Sequence, residues 1–171
     1  MPIFRLNHAV LYVRDLERSV AFDRDVLGFE AVMRMPGAAF VQAPGSTNDH
    51  DLGVFQIGSG AGPSMAGRAT VGLYHLAWEV DTLAELGRIA GLLEERGALV
   101  GASDHASTKS LYGRDPDGLE FEVCWIVPAD RLTDDLAEAK LSIRPLDLPA
   151  EIERYGADTR GGVGVSVPTP S

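Results

Sequence analysis

The chain has 171 residues, 45% hydrophobic and 23% charged, enough to bury one good core and short for two independent domains. A formal net charge of -10 and a pI near 4.7 argue against partners that are nucleic acids or anionic membranes, and favour a neutral small molecule or a cation. No apolar run approaches the roughly 20 residues of a membrane span. The start Met1-Pro2-Ile3-Phe4-Arg5 lacks the pattern of a signal peptide, and the single cysteine, Cys124, admits no internal disulfide, so a reducing cytoplasm is the expected setting.

In chain order, residues 3–13 read as a strand, 15–27 as a helix, and 29–35, 38–42 and 52–57 as further strands. Asp15 is placed to cap the helix, Leu16, Val20, Val26 and Leu27 share its apolar face, and Gly28 supplies the backbone freedom to leave it. After a Gly- and Ser-rich loop at 58–67 the same order returns: a strand at 72–80, a helix at 82–96 stopped by Gly97, and strands at 98–101, 108–113 and 119–127. Beyond Pro128 a short polar helix is expected at 130–140, Pro145 and Pro149 interrupt it, and 161–171 reads as a flexible tail.

The chain thus spells βαβββ twice. His8 and His75 lie 67 positions apart, Asp15 and Asp81 66, and the helix-ending Gly28 and Gly97 69. The expected fold class is α+β, with two paired βαβββ modules at about 3–58 and 72–127. They form a curved, partly open β-barrel around one metal site in a domain spanning 1–128, and 129–171 is an extension.

Histidines at equivalent positions of the two first strands face one hollow together. By the two-residue period of a strand, Val10 and Tyr12 share the face of His8, and Ala77 and Glu79 that of His75. In the last strand Glu120, Glu122 and Cys124 occupy one face, and Phe121, Val123 and Trp125 the other. Alternation leaves Glu120 and Glu122 as equal candidates for a carboxylate ligand. Two imidazoles and one carboxylate leave coordination positions open for exchange. Either histidine alone is as well explained as a satisfied core residue, and it is the repeat that argues for a shared task. An offset of 67 carries Glu122 onto Phe55, so a fourth symmetric ligand is expected to be missing.

The run 104–122, which holds His105, Tyr112 and the turn Asp115-Pro116-Asp117-Gly118 before Glu122, resembles the signature of the extradiol, catechol 2,3-dioxygenase-like branch of the vicinal oxygen chelate superfamily. The resemblance covers roughly residues 4–127. It implies the paired-module fold and selects Glu122 as the metal ligand beside His8 and His75, with Fe(II) the usual metal and Mn(II) a less common one. It also implies a substrate-binding histidine at His105, a site tyrosine at Tyr112, and at His50 the histidine that precedes the fourth strand of the metal-binding module. Leu119 departs from the Asn often found after Asp-Pro-Asp-Gly, a change confined to the turn.

The implied activity is metal-dependent extradiol cleavage of a catechol-type aromatic diol by O2, in a cytoplasmic homodimer or higher homo-oligomer. A catechol chelates through two adjacent oxygens, His105 or Tyr112 takes a proton, and His50 serves the oxygen intermediate as a neutral imidazole. The competing readings are a glyoxalase-like lyase, an epimerase or a thiol transferase of the same superfamily, and a non-catalytic small-molecule binding protein. The histidine, glutamate and tyrosine set favours the dioxygenase.

Overall fold

A computed structural model describes residues 2–3, 5–66, 69–139 and 142–162 of the chain. The expected tail lies outside the described residues from 163 onward, as do Phe4 of the first strand, Gly67 of the long loop and Lys140 of the polar helix. The fold is α+β with two open mixed sheets, and the chain divides into two compact units: Met1–Met65 with Asp115–Leu119, and Ala66–Arg114 with Glu120–Ser171.

The first unit contains β1 (Ala9–Val13), α1 (Leu16–Phe22), β2 (Glu30–Met35), β3 (Ala38–Gln42) and β4 (Leu52–Gln56). Its sheet runs β1-β4-β3-β2, parallel between β1 and β4 and antiparallel elsewhere. Asp15 caps α1 by accepting the Arg18 backbone N–H at 3.0 Å. The helix widens into a π-type turn over Asp23–Leu27, and Gly28, at φ 77°, ends it in a conformation that costs a glycine nothing. Leu16, Val20 and Val26 of this segment are buried together with Val41 and Val54 of the sheet, each side chain contributing roughly 1.5–3 kcal/mol by leaving water.

The second unit repeats the plan with β5 (Leu76–Glu79), α2 (Leu83–Glu95), β6 (Leu99–Asp104), β7 (Thr108–Arg114) and β8 (Glu120–Ile126). The order β5-β8-β7-β6 is again parallel at its first pair, and a short β9 (Arg144–Pro145) extends it beyond β6. Leu83, Leu86, Ile89 and Leu93 form the buried stripe of α2, against the sheet face that carries Phe121, Val123 and Trp125.

Both first strands are shorter than expected. β1 starts at Ala9 rather than residue 3, and β5 at Leu76 rather than residue 72, because their partners β4 and β8 pair only from Leu52 and Phe121 onward. His8 and His75 therefore sit just ahead of their strands. The C-terminal segment also differs: the single expected helix is a 3-10 turn at Ala129–Arg131 followed by α3 (Asp134–Glu138), capped by Thr133. A further helix, α4 (Leu148–Tyr155), forms across Pro149 because that proline falls in the first turn, where no backbone N–H is needed. Tyr155 is buried with its ring 5.3 Å from that of Trp125, so the extension up to residue 162 is built into the second unit.

Candidate metal centre

In the second unit one row of cross-strand neighbours carries the polar chemistry. Gly101 on β6, Tyr112 on β7, Glu122 on β8 and Ala77 on β5 are in register. The row thus lies on the sheet face opposite the α2 core. Glu122 Oε2 lies 3.0 Å from His75 Nε2, and Glu122 Oε1 accepts the hydroxyl of fully buried Ser110 at 2.6 Å. Glu120, the other candidate, is held by Arg114 at 2.7 Å, and that guanidinium keeps its carboxyl below the usual range. His105 follows β6 and its Nε2 is 3.0 Å from the Tyr112 hydroxyl. The ring of Tyr112 is in turn 5.9 Å from that of His75. Burial, with the charge of Glu122 adding to it, raises the Tyr112 pKa, so the phenol stays protonated and can donate to a neutral His105.

Cys124, on the same face two residues beyond Glu122, is pushed up to about 12 by burial and then by Glu122 and Glu79, which keeps it a thiol at neutral pH.

In the first unit His8 is exposed and its Nδ1 is 2.7 Å from Asn7 Oδ1. His50, just before β4, stacks obliquely on it with ring centroids 4.6 Å apart, meets Phe40 edge-on at 4.9 Å, and pairs through Nδ1 with Asp49 at 3.2 Å. Strand register corrects one expectation here. Two residues past His75, Ala77 pairs with Glu122; two past His8, Val10 pairs with Gly53. Gly53, and not Phe55, is the counterpart of Glu122. The 69-residue spacing of Gly28 and Gly97 already signalled the shift, since the second helix is longer by two residues. Glycine offers no side chain, so this position supplies no symmetric fourth ligand. Gln56 is also committed, its Oε1 accepting Leu16 N–H at 3.0 Å. Val54 is fully buried on the α1 side, whereas Met33, Phe40 and Phe55 share the face with Gly53.

A cavity of about 300 Å³ in the first unit, lined by Val10, Tyr12, Ile57 and Pro63 and edged by the Arg14–Asp117 ion pair at 2.9 Å, was not foreseen. Only the exposed apolar alternation of β1 hinted at it. The pair shows what Asp117 does: it draws the Asp115–Leu119 turn to the end of β1, while Asp115 Oδ1 accepts the Asp117 and Leu119 N–H groups.

Two observations bear on whether these residues fit a divalent ion. Ligand atoms about 2.1 Å from one ion and at right angles to each other are about 3.0 Å apart. That is the His75–Glu122 separation, which is also hydrogen-bond distance. His75 Nδ1 and His50 Nε2 are buried without a protein hydrogen-bond partner, so each has a bonding position left for a water, an ion or a ligand. The donor set of neutral imidazole and carboxylate suits Fe(II) or Mn(II). Among the described residues no three His, Cys, Asp or Glu side chains cluster closely enough to hold an ion, and the second unit by itself brings together two candidate donors, His75 and Glu122.

The description Glyoxalase/Bleomycin resistance protein/Dioxygenase superfamily fits the chain over residues 5–123. Catechol-2,3-dioxygenase of Bacillus subtilis is 33% identical over 118 residues, covering 69% of this chain and 40% of that protein. A manganese-dependent 2,3-dihydroxybiphenyl 1,2-dioxygenase from Geobacillus genomosp. 3 is 28% identical, covering 93% of this chain and 54% of that protein. The chain thus spans about two fifths of one curated relative and about half of the other. In fold it is similar to a glyoxylase/bleomycin resistance protein/dioxygenase domain from Frankia, with a TM-score of 0.58 at 22% identity, covering 71% of this chain and 91% of that one. With more than half its length matched and each unit carrying the βαβββ order, the chain belongs to the Glyoxalase/Bleomycin resistance protein/Dioxygenase superfamily.

Proposed function

We propose that the chain is an extradiol dioxygenase that cleaves a catechol-type aromatic diol with O2, using Fe(II) or Mn(II) held by His8, His75 and Glu122. The observation that carries the reading is the second-unit row: a His75–Glu122 pair at 3.0 Å beside a His105–Tyr112 pair at 3.0 Å, on one face of one sheet. A lyase or epimerase of the same fold has no evident use for the second pair. Likeness to two diol dioxygenases supports the same reading.

A bound divalent ion would supply Lewis acidity toward two adjacent diol oxygens and a place for O2. Glu122 supplies one negative charge, so a diol that enters as a monoanion leaves the site near neutrality. Ser110 fixes the carboxylate by holding Oε1, which turns Oε2 toward His75. His105 accepts the diol proton, and Tyr112, protonated at neutral pH, hydrogen-bonds the deprotonated oxygen or the imidazole. His50, oriented through Nδ1 by Asp49, presents Nε2 to the oxygen side of the reaction, where it accepts a hydrogen bond as the neutral ring and donates a proton as the imidazolium.

The direct test loads the protein with Fe(II) or Mn(II) under anaerobic conditions, adds a panel of catechols and admits air. A yellow ring-opened product is expected. A protein that binds metal stoichiometrically yet opens no diol in the panel is not a dioxygenase, and lyase and epimerase assays then take its place.

A further inference from the structure

Lys109 on β7 is fully buried, on the sheet face opposite Ser110 and Tyr112. Its ammonium contacts Asp104 Oδ1 at 2.5 Å and Glu151 Oε2 at 3.0 Å, the latter reaching in from α4, and lies 5.9 Å from the ring centroid of Tyr155. Asp104 Oδ1 also accepts the Ala106 backbone N–H at 2.8 Å. Ala106 is the one non-glycine residue with positive φ, 63°, among the described residues, and it sits in the turn directly after His105. A side chain at that φ is unfavourable and persists where the surroundings hold it. The holding groups are visible: Asp104 on the Ala106 N–H, Thr108 O on the His105 N–H at 2.9 Å, and Val127 N–H on Ser107 O at 2.9 Å.

We propose that Lys109 and Glu151 are positioning residues for His105, so that the C-terminal helix α4, beyond residues 5–123 that the superfamily description matches, is part of the frame of the active site. Asp104 is where the two tasks meet, since one oxygen serves both the strained turn and the ammonium. With Glu151 present the buried ammonium, hydrogen-bonded to Asp104, has a second carboxylate at ion-pair distance to balance its charge. Without Glu151 it has Asp104 alone and draws that oxygen away from the Ala106 N–H, loosening the turn that sets His105 against Tyr112. The sites of metal ligation are untouched, because His75 and Glu122 share no partner with this cluster.

The proposal rests on the reading of His105 as a substrate-binding residue, and its test keeps the two apart. The full chain is compared with Glu151→Ala and the milder Glu151→Gln by metal content, by steady-state kinetics on the diol that the panel identifies, and by NMR of the histidine imidazoles. In Glu151→Ala the expected result is unchanged metal content, a KM for the diol raised about tenfold with kcat less affected, and altered His105 signals beside unaltered His75 signals. Glu151→Gln, which keeps an oxygen acceptor, should fall between. Wild-type KM together with wild-type His105 signals in Glu151→Ala overturns the proposal. So does a change in all four histidines with loss of metal, which would mark the ion pair as a general support of the fold. If the wild-type chain opens no diol, the proposed function fails, and the His105 signals alone decide whether α4 positions that ring.

Discussion

The two units run the same strands in the same register and fill the equivalent row with opposite chemistry. The first unit reads Met33, Phe40, Gly53, Val10, and the second Gly101, Tyr112, Glu122, Ala77. Even the register irregularity recurs, before Met33 in one and before Gly101 in the other. The difference lies in which hairpin is long. Phe40 and Gly53 are 13 positions apart where Tyr112 and Glu122 are 10, whereas Met33 and Phe40 are 7 apart where Gly101 and Tyr112 are 11. Each lengthened connection carries a histidine, His50 in the first unit and His105 in the second. The two scaffolds thus keep the same strand pairing while this row of side chains and two loops differ.

The change with the largest expected effect removes the carboxylate that the first unit lacks. Glu122→Gln keeps the shape and the acceptor for Ser110 but loses the charge opposite His75. Metal affinity and ring cleavage should each fall by more than about 100-fold, read by metal stoichiometry after dialysis and by product absorbance. Full retention of metal would show that the polar row of the second unit is no ligand set.

The helices differ as well. Five residues before the terminating glycine, the first unit has Asp23 and the second Leu92. Asp23 is buried in the π-type turn, and burial, with Asp115 adding its charge, pushes its pKa up to about 7. Between the unfolded value near 4 and this folded value the native chain holds a proton that the unfolded chain releases, so stability falls as pH rises and levels off above 7. Asp23→Asn removes the cost. The variant should be more stable than the wild type by roughly 2–4 kcal/mol in urea at pH 8, with the gain shrinking toward pH 4. A gain independent of pH would mean that the Asp23 carboxyl titrates alike in the folded and the unfolded chain.

Ser110→Ala tests the support behind the polar row. It leaves Glu122 Oε1 without its 2.6 Å donor while the carboxylate remains, and metal affinity should drop about tenfold with the fold intact. Affinity equal to the wild type would mean that β7 does not orient the carboxylate.

How much of this could be read beforehand follows from the kind of signal involved. The βαβββ repeat, the cap at Asp15 and the stops at Gly28 and Gly97 are local patterns, and they stand within a few residues of their expected places. Strand ends depend on the partner strand, and so β1 and β5 came out too long. Alternation could not separate Glu120 from Glu122, whereas the Arg114 ion pair and the Ser110 hydroxyl distinguish them at once. A constant offset of 67 points to Phe55 because it ignores the two extra residues between the cap and the terminating glycine of the second helix. The buried Lys109 reads from sequence as an ordinary charge on a strand, and α4 was hidden by a proline that is harmless in a first turn.

The smallest expected effect probes the aromatic filling of the first unit. A Cβ on Gly53 would meet Phe55 Cε2 at 3.1 Å, Phe40 Cε1 at 3.4 Å and Val10 Cγ2 at 3.4 Å. All three are outer atoms of side chains, so they yield by a few tenths of an ångström rather than forcing the backbone to move. Loss of glycine also restricts the unfolded chain and returns part of the cost. Gly53→Ala should therefore destabilise by no more than about 1 kcal/mol, roughly 2–4 °C in Tm for a chain of this size. Combined with Phe55→Ala, which clears the tightest contact, the same substitution should become neutral or stabilising, a coupling of about 0.5–1 kcal/mol. If Gly53→Ala costs the same in both backgrounds, the Phe55 ring does not fill the place that Glu122 holds in the other unit, and the contrast between an aromatic row and a polar one fails at its central position.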